Sequence, residues 1–247
     1  MISGLYSAAT AMDVAAMKHE ASAQNLANAH MPGFRRRIVT QAQFGASMDN
    51  ALDKMDMSPL PGTAVGSGSE GVVKLDFSEG PLKPTGRNLD FALQGDGFFV
   101  VEGPTGPLYT RNGAFQVNED GDLMTVDQLP VRGVNGTIAL PPDTPLHAVM
   151  VDSEGRFTAN GREFGQLKTV QFADNSILNP VGASLFQAPD NITPEISDSV
   201  VKQGFVEQGN VSYMNELVNI MVASRQYEAA QRVLRSIDEA IEKHVNN

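Results

Sequence analysis

The sequence has no cysteine and no tryptophan, and aromatic residues make up only 6% of it. Without cysteine there are no disulfides, no thiolate metal ligands and no thiol nucleophile, and the redox compartment is left open. Positive charge is scarce as well. Lys and Arg number 18 against 29 Asp and Glu, a net charge of −11, which argues against a nucleic-acid partner because phosphates are neutralised by Lys and Arg. The one basic cluster, Arg35-Arg36-Arg37, is too short to change that balance and reads as a solvated strand edge or turn. No apolar run reaches the roughly 18 residues of a membrane-spanning helix. The first 17 residues are fairly apolar, but no Lys or Arg precedes Lys18 and Asp13 interrupts them, which does not fit a signal peptide. The expectation is a chain that is soluble or is exported without a cleaved signal peptide. At 247 residues it is long enough for one large domain or two small ones.

Catalytic and metal-binding patterns are equally sparse. The four histidines, at 19, 30, 147 and 244, have no metal-ligand spacing, and G-x-S-x-G does not occur. Gly66-Ser67-Gly68-Ser69-Glu70-Gly71 matches G-x-G-x-x-G, but Pro59 and Pro61 precede it and a strand follows, which is the reverse of a dinucleotide-binding context. Asn118-Glu119-Asp120-Gly121-Asp122 lacks the terminal glutamate and the helix flanks of a calcium loop and reads as an Asp-Gly hairpin turn. The expectation is therefore no enzyme, no catalytic residue, no metal and no cofactor.

What the chain does have is two long helical patterns, one at each end. Residues 2–26 carry apolar residues three and four apart (Ile2, Leu5, Ala9, Met12, Ala16, then His19, Ala23 and Leu26), and residues 213–245 carry Leu217, Ile220, Tyr227, Leu234, Ile237 and Ile241. That spacing holds one seam against a partner helix. The helices would be about 37 and 49 Å long at 1.5 Å per residue. Ser212 is the expected N-cap of the second, with Glu216 in its first turn. The first helix should end near Asn28, because Pro32 disfavours helical geometry at Met31 and Gly33 follows.

Between the helices the period changes. Arg35 to Thr40 reads as a short strand, residues 43–56 as a short helix, and Ser58 to Gly71 as a Pro-, Gly- and Ser-rich loop. From Val72 onward apolar residues alternate, and turn signals recur every eight to twelve residues or so. Three Asn-Gly pairs, beginning at 112, 135 and 160, suggest type I′ hairpins. The fold class expected is mainly β, with an antiparallel β domain in the centre and long terminal helices that pair as a coiled-coil-like layer. The expected organisation has a discontinuous helical domain at 1–34 and 210–247. A connecting region follows at 35–85 and 173–209, and the antiparallel β domain at 86–172.

Three segments, in order, resemble a known family. Gln24-Asn25-Leu26-Ala27-Asn28 through Gly33-Phe34-Arg35 is similar to the N-L-A-N-x-x-T-x-G-F-K/R signature of bacterial flagellar rod and hook proteins. Leu93 to Phe99, with Gly95, Gly97 and Phe98, resembles the central G-x-G-F-F motif, and Tyr109 to Gly113 with Phe115 resembles Y-T-R-x-G-x-F. Glu207 to Val211, with Asn210, then Glu216-Leu217-Val218 and Arg225-Gln226-Tyr227-Glu228, resemble the C-terminal stretches L-E-x-S-N-V and R-x-Y-E. Met31, Val206 and Gly209 depart from the usual Thr, Leu and Ser. The length resembles rod proteins, either the distal one or the proximal one beside it, more than the larger hook protein.

The resemblance implies a structural subunit of the flagellar basal-body rod, self-assembling with helical symmetry into part of the axial drive shaft used in motility. It implies assembly through a seam that includes Ile2, Leu5, Met12, Leu26, Leu217, Ile220, Leu234 and Ile241. Asn25 and Asn28 would cap or bridge backbone where the first helix ends, Gly33 would permit the turn and Phe34 would pack it. Arg225 and Glu228, three apart on the last helix, are placed to pair with each other or with neighbours, and Arg111, Gly113, Phe115 and Tyr227 are matched motif positions. The partners implied are copies of itself, other rod and hook axial proteins and the export apparatus, and the place is the periplasm-spanning basal body. A self-contained β-rich protein-binding module remains the alternative.

Overall fold

The computed structural model describes residues 2–43, 69–142 and 144–245, and the chain divides into two compact units. One comprises the described parts of 1–27, 37–76 and 212–247; the other comprises 28–36 and 77–211. Of the expected short helix at 43–56 and loop at 58–71, residues 44–56 and 58–68 lie outside the described residues; Gln43 closes the strand Arg36–Gln43, and 69–71 open the strand Ser69–Asp76 where a loop was expected. No described helix is long and apolar enough to cross a membrane.

The first unit is built on two helices, α1 (Ile2–Ala27) and α2 (Tyr213–Val245), which pack against each other. Their buried positions repeat every seven residues: Ala8, Ala15 and Ser22 on α1, and Glu216, Ala223 and Ala230 on α2. Five of these six side chains are small, so the two backbones can approach closely along the seam. This corrects the expected stripe on α1. Ala9, Ala16, His19 and Ala23 are exposed, and the buried row runs one residue earlier. The reason is a second partner. Arg36–Gln43 and Ser69–Asp76 pair as a two-stranded sheet, and α1 also packs on Ser69–Asp76. A Cβ on Gly71 would lie 3.0 Å from the Met17 sulfur and 3.4 Å from Val14. Val14 and Met17 thus face this strand, and a helix with two partners does not bury the single stripe a coiled-coil pattern predicts.

The second unit is antiparallel β throughout its described pairings. Its largest sheet has six strands in the order Asn179–Pro180, Leu185–Gln187, Gly106–Thr110, Phe98–Gly103, Thr169–Gln171, Glu195–Ile196. Val149–Val151, Arg156–Ala159 and Arg162–Gln166 form a three-stranded sheet. Short pairs complete the unit, among them Phe205–Glu207 on Leu82–Pro84 and Val200–Gln203 on Phe91–Gln94. The core is a cluster that includes Phe91, Phe99, Phe115, Phe157, Leu123 and Val131. Its rings meet edge-on or tilted, Phe99 on Phe115 at 5.3 Å and Phe91 on Phe157 at 5.5 Å, the geometry the ring quadrupole favours.

Of the three Asn-Gly pairs, only Asn160-Gly161 has both residues at positive φ, +51° and +74°. Asn112-Gly113 is not a hairpin turn. Gly113 is small because a Cβ there would stand 1.9 Å from the Phe91 carbonyl oxygen, whose own N–H donates to the Gly113 carbonyl at 2.9 Å.

Candidate functional site

Within the second unit, three segments remote in sequence meet on one carboxylate. Glu207 ends the short strand Phe205–Glu207 and is 1% exposed. Its Oε1 accepts from Arg35 Nη1 at 2.7 Å and from the Gly80 N–H at 2.9 Å. Its Oε2 accepts from Arg111 Nη1 at 3.2 Å. Both guanidiniums are buried. Arg35 also donates to the Ser78 carbonyl at 3.0 Å, and Arg111 Nη2 donates to the Gly95 carbonyl at 2.9 Å while stacking over the Phe98 ring at 5.3 Å. Burial pushes the Arg111 guanidinium below its ordinary pKa; Glu207 opposes this and Arg35 adds to it.

Arg35 therefore corrects the expectation that the basic run is solvated. Arg36 and Arg37 are half-buried, whereas Arg35 turns inward to a counter-charge 172 positions away. Arg35 and Glu207 stand at matched motif positions, but local spacing gives no sign that they pair, because they belong to different ends of the chain.

The backbone around this cluster is fitted closely. Gly33 has φ +69°, and a Cβ on it would lie 2.3 Å from the Asn112 nitrogen. Its N–H donates to the Glu207 carbonyl at 2.8 Å. Phe34 is buried beside it, and Gly209 packs on Phe34 and the Met31 carbonyl. Asn210 Oδ1 accepts from the Arg36 N–H at 2.8 Å, and its Nδ2 donates to Ser78. In the helical unit, Asn25 is buried and makes two bonds to Arg37, accepting from its N–H at 2.8 Å and donating to its carbonyl at 2.9 Å. The Asn28 carbonyl accepts from Met31 N–H at 2.9 Å. The motif residues thus fall into two groups. Gly33, Phe34, Gly95, Phe98, Arg111, Asn210 and Gly113 converge on or beside the cluster, and Phe115 sits in the core.

The remaining motif and seam residues lie elsewhere. Arg225, Tyr227 and Glu228 are exposed on α2, and no ion pair joins Arg225 to Glu228 among the described residues. Leu5, Met12, Leu26, Ile220 and Leu234 are half-buried, Ala27 is exposed and Val211 half-buried. The side chains of Ile2 and Ile241 lie outside the described residues. Leu217 is exposed, and it is not alone. Met214, Leu217, Val218, Met221 and Val222, at 37% exposure or more, form a row three and four apart along the first turns of α2, on a face turned away from the buried Glu216 and Ala223. This is an apolar stripe, and within a single chain no described partner covers it.

Neither feature is arranged for bond-making chemistry. The carboxylate is fully engaged by cations and a backbone N–H, which suits holding segments together.

Comparison with known proteins points one way. Residues 92–159 match the family described as flagellar hook protein FlgE/F/G D1 domain, and residues 202–247 match the flagellar basal body rod FlgEFG protein C-terminal family. The chain is 32% identical to the flagellar basal-body rod protein FlgG of Agrobacterium fabrum, over 94% of each chain. It is 30% identical to the rod protein FlgF of Mesorhizobium japonicum, over 98% of this chain and 97% of that one. Against FlgG of Bacillus subtilis the identity is 29%, over 100% of this chain and 99% of the other.

Proposed function

The chain belongs to the flagellar basal-body rod protein family, and on that premise we propose that it is a structural subunit of the bacterial flagellar rod that self-assembles through its terminal helices. The observation that carries the assembly role is the exposed stripe Met214, Leu217, Val218, Met221, Val222. Exposed apolar residues scattered singly need no explanation, but a contiguous row at helical spacing marks an interaction surface. α2 uses one face on α1 and keeps this second face for another copy or a neighbouring axial protein. The seam residues Ile2, Leu5, Met12, Leu26, Leu217, Ile220, Leu234 and Ile241 then divide their roles. The half-buried ones support the helix pair, and Leu217 faces outward.

Contacts of this kind are heterologous and extend into a helical tube without closing. The partners are further copies, other rod and hook axial proteins and the export apparatus, in the basal body. The test is Leu217→Asp with Met221→Asp. The double variant keeps the circular dichroism and melting of the wild type, because both positions are exposed, but fails to build rods in basal bodies seen by electron microscopy. Normal rods with this variant would overturn the reading.

A further inference from the structure

The Arg35–Glu207–Arg111 cluster is electrically unequal: two cations share one anion, all three side chains are at most 2% exposed, and the anion comes last. Glu207 lies 172 positions after Arg35 and 96 after Arg111. It is the only carboxylate hydrogen-bonded to either guanidinium among the described residues. Glu79, the other acid nearby, is exposed and accepts instead from the Gly95 N–H.

Burying a guanidinium without its counter-ion is strongly unfavourable, because the charge gives up its hydration and gains nothing in return. Until the strand Phe205–Glu207 docks on Leu82–Pro84, both arginines must therefore stay in water, and with them the segments that carry them. Arg35 follows Phe34, and Arg111 is followed by the segment whose Gly113 and Phe91 backbones interlock. We propose that Glu207 is a closing bolt. Its arrival is the rate-limiting step in folding the β unit, so a chain that has not yet brought residue 207 into place holds that unit open. The strand also supplies the Gly33 contact through its carbonyl, so the same docking fixes both charge and backbone. The inference concerns folding alone and stands independently of the rod reading.

Two variants of the full chain test it by stopped-flow refolding, with pulsed hydrogen exchange read at the amides of Phe91, Phe99 and Phe115. Glu207→Gln leaves two buried cations unpaired; it slows refolding at least about tenfold and changes the unfolding rate less, as expected when the lost interaction is already made in the transition state. Arg35→Met, Arg111→Met and Glu207→Leu together remove the bolt and its sockets. That triple variant refolds at least about tenfold faster than wild type, because the wait for a counter-ion is gone. Should Glu207→Gln fail to fold, the triple variant decides alone. Refolding of the triple variant no faster than wild type overturns the proposal, and so does an effect of Glu207→Gln confined to unfolding.

Discussion

At the scale of the residue, what matters is which groups are taken from water and what they are given in return. Tyr109 is 5% exposed, its ring edge-on to Phe172 at 4.9 Å, and burial pushes its hydroxyl above the ordinary pKa. The folded protein holds that proton more tightly than the unfolded chain does. The associated stability is fully present below the unfolded value of about 10 and is lost as pH rises through the raised folded value. Melting temperatures measured from about pH 8 to about pH 11 will therefore fall for the wild type more steeply than for Tyr109→Phe, since ionisation of lysines is common to both. Equal slopes would mean that Tyr109 ionises alike in both states. Gly209 shows the same exchange sterically. A Cβ there would sit 3.3 Å from Phe34 Cβ and 3.5 Å from the Met31 carbonyl, so the departures from the family pattern at 31 and 209 are neighbours and share one contact.

At the scale of the element, the small-residue seam makes a sharp prediction. Ala15 is 1% exposed between packed helices, and Ala16 beside it is exposed. Ala15→Leu will destabilise the helical unit by about 1–3 kcal/mol through overpacking, whereas Ala16→Leu will change it by less than about 0.5 kcal/mol. Helical melting of the two variants distinguishes this seam from the stripe that includes Ala9 and Ala16. The comparison also shows what was legible. Helical period and Pro-Gly punctuation placed the helices at 2–26 and 213–245, against Ile2–Ala27 and Tyr213–Val245 observed. Alternation and turn residues likewise indicated an antiparallel β centre. Which face of α1 is buried was not legible, because Val14 and Met17 answer to a strand that sequence spacing cannot locate. Nor was Arg35, since a run of three arginines looks the same whether its first member meets water or a carboxylate from the far end of the chain. The motif glycines were recognisable, but the reason for Gly113 was the nearness of the Phe91 carbonyl and not a turn.

At the scale of the whole molecule, all three members of the buried ionic cluster, with Gly33 and Asn210, belong to the unit formed by 28–36 and 77–211. A fragment spanning 28–211 will therefore fold its β unit cooperatively and resist trypsin outside 37–76, which belongs to the other unit, while one spanning 37–204, lacking Arg35 and Glu207, will not. Mass spectrometry of limited digests checks both, and an unfolded 28–211 fragment would refute the assignment of those segments to the β unit. The six-stranded sheet of that unit has one further property. Its outer strands are Asn179–Pro180 on one side and Glu195–Ile196, preceded by Pro194, on the other. A proline has no N–H to offer an incoming strand, so each rim is blunted where a neighbour's backbone would add. Crowded copies of this protein are thus steered away from cross-β aggregation, and the sheet's flanks can meet at high local concentration without fusing into amyloid.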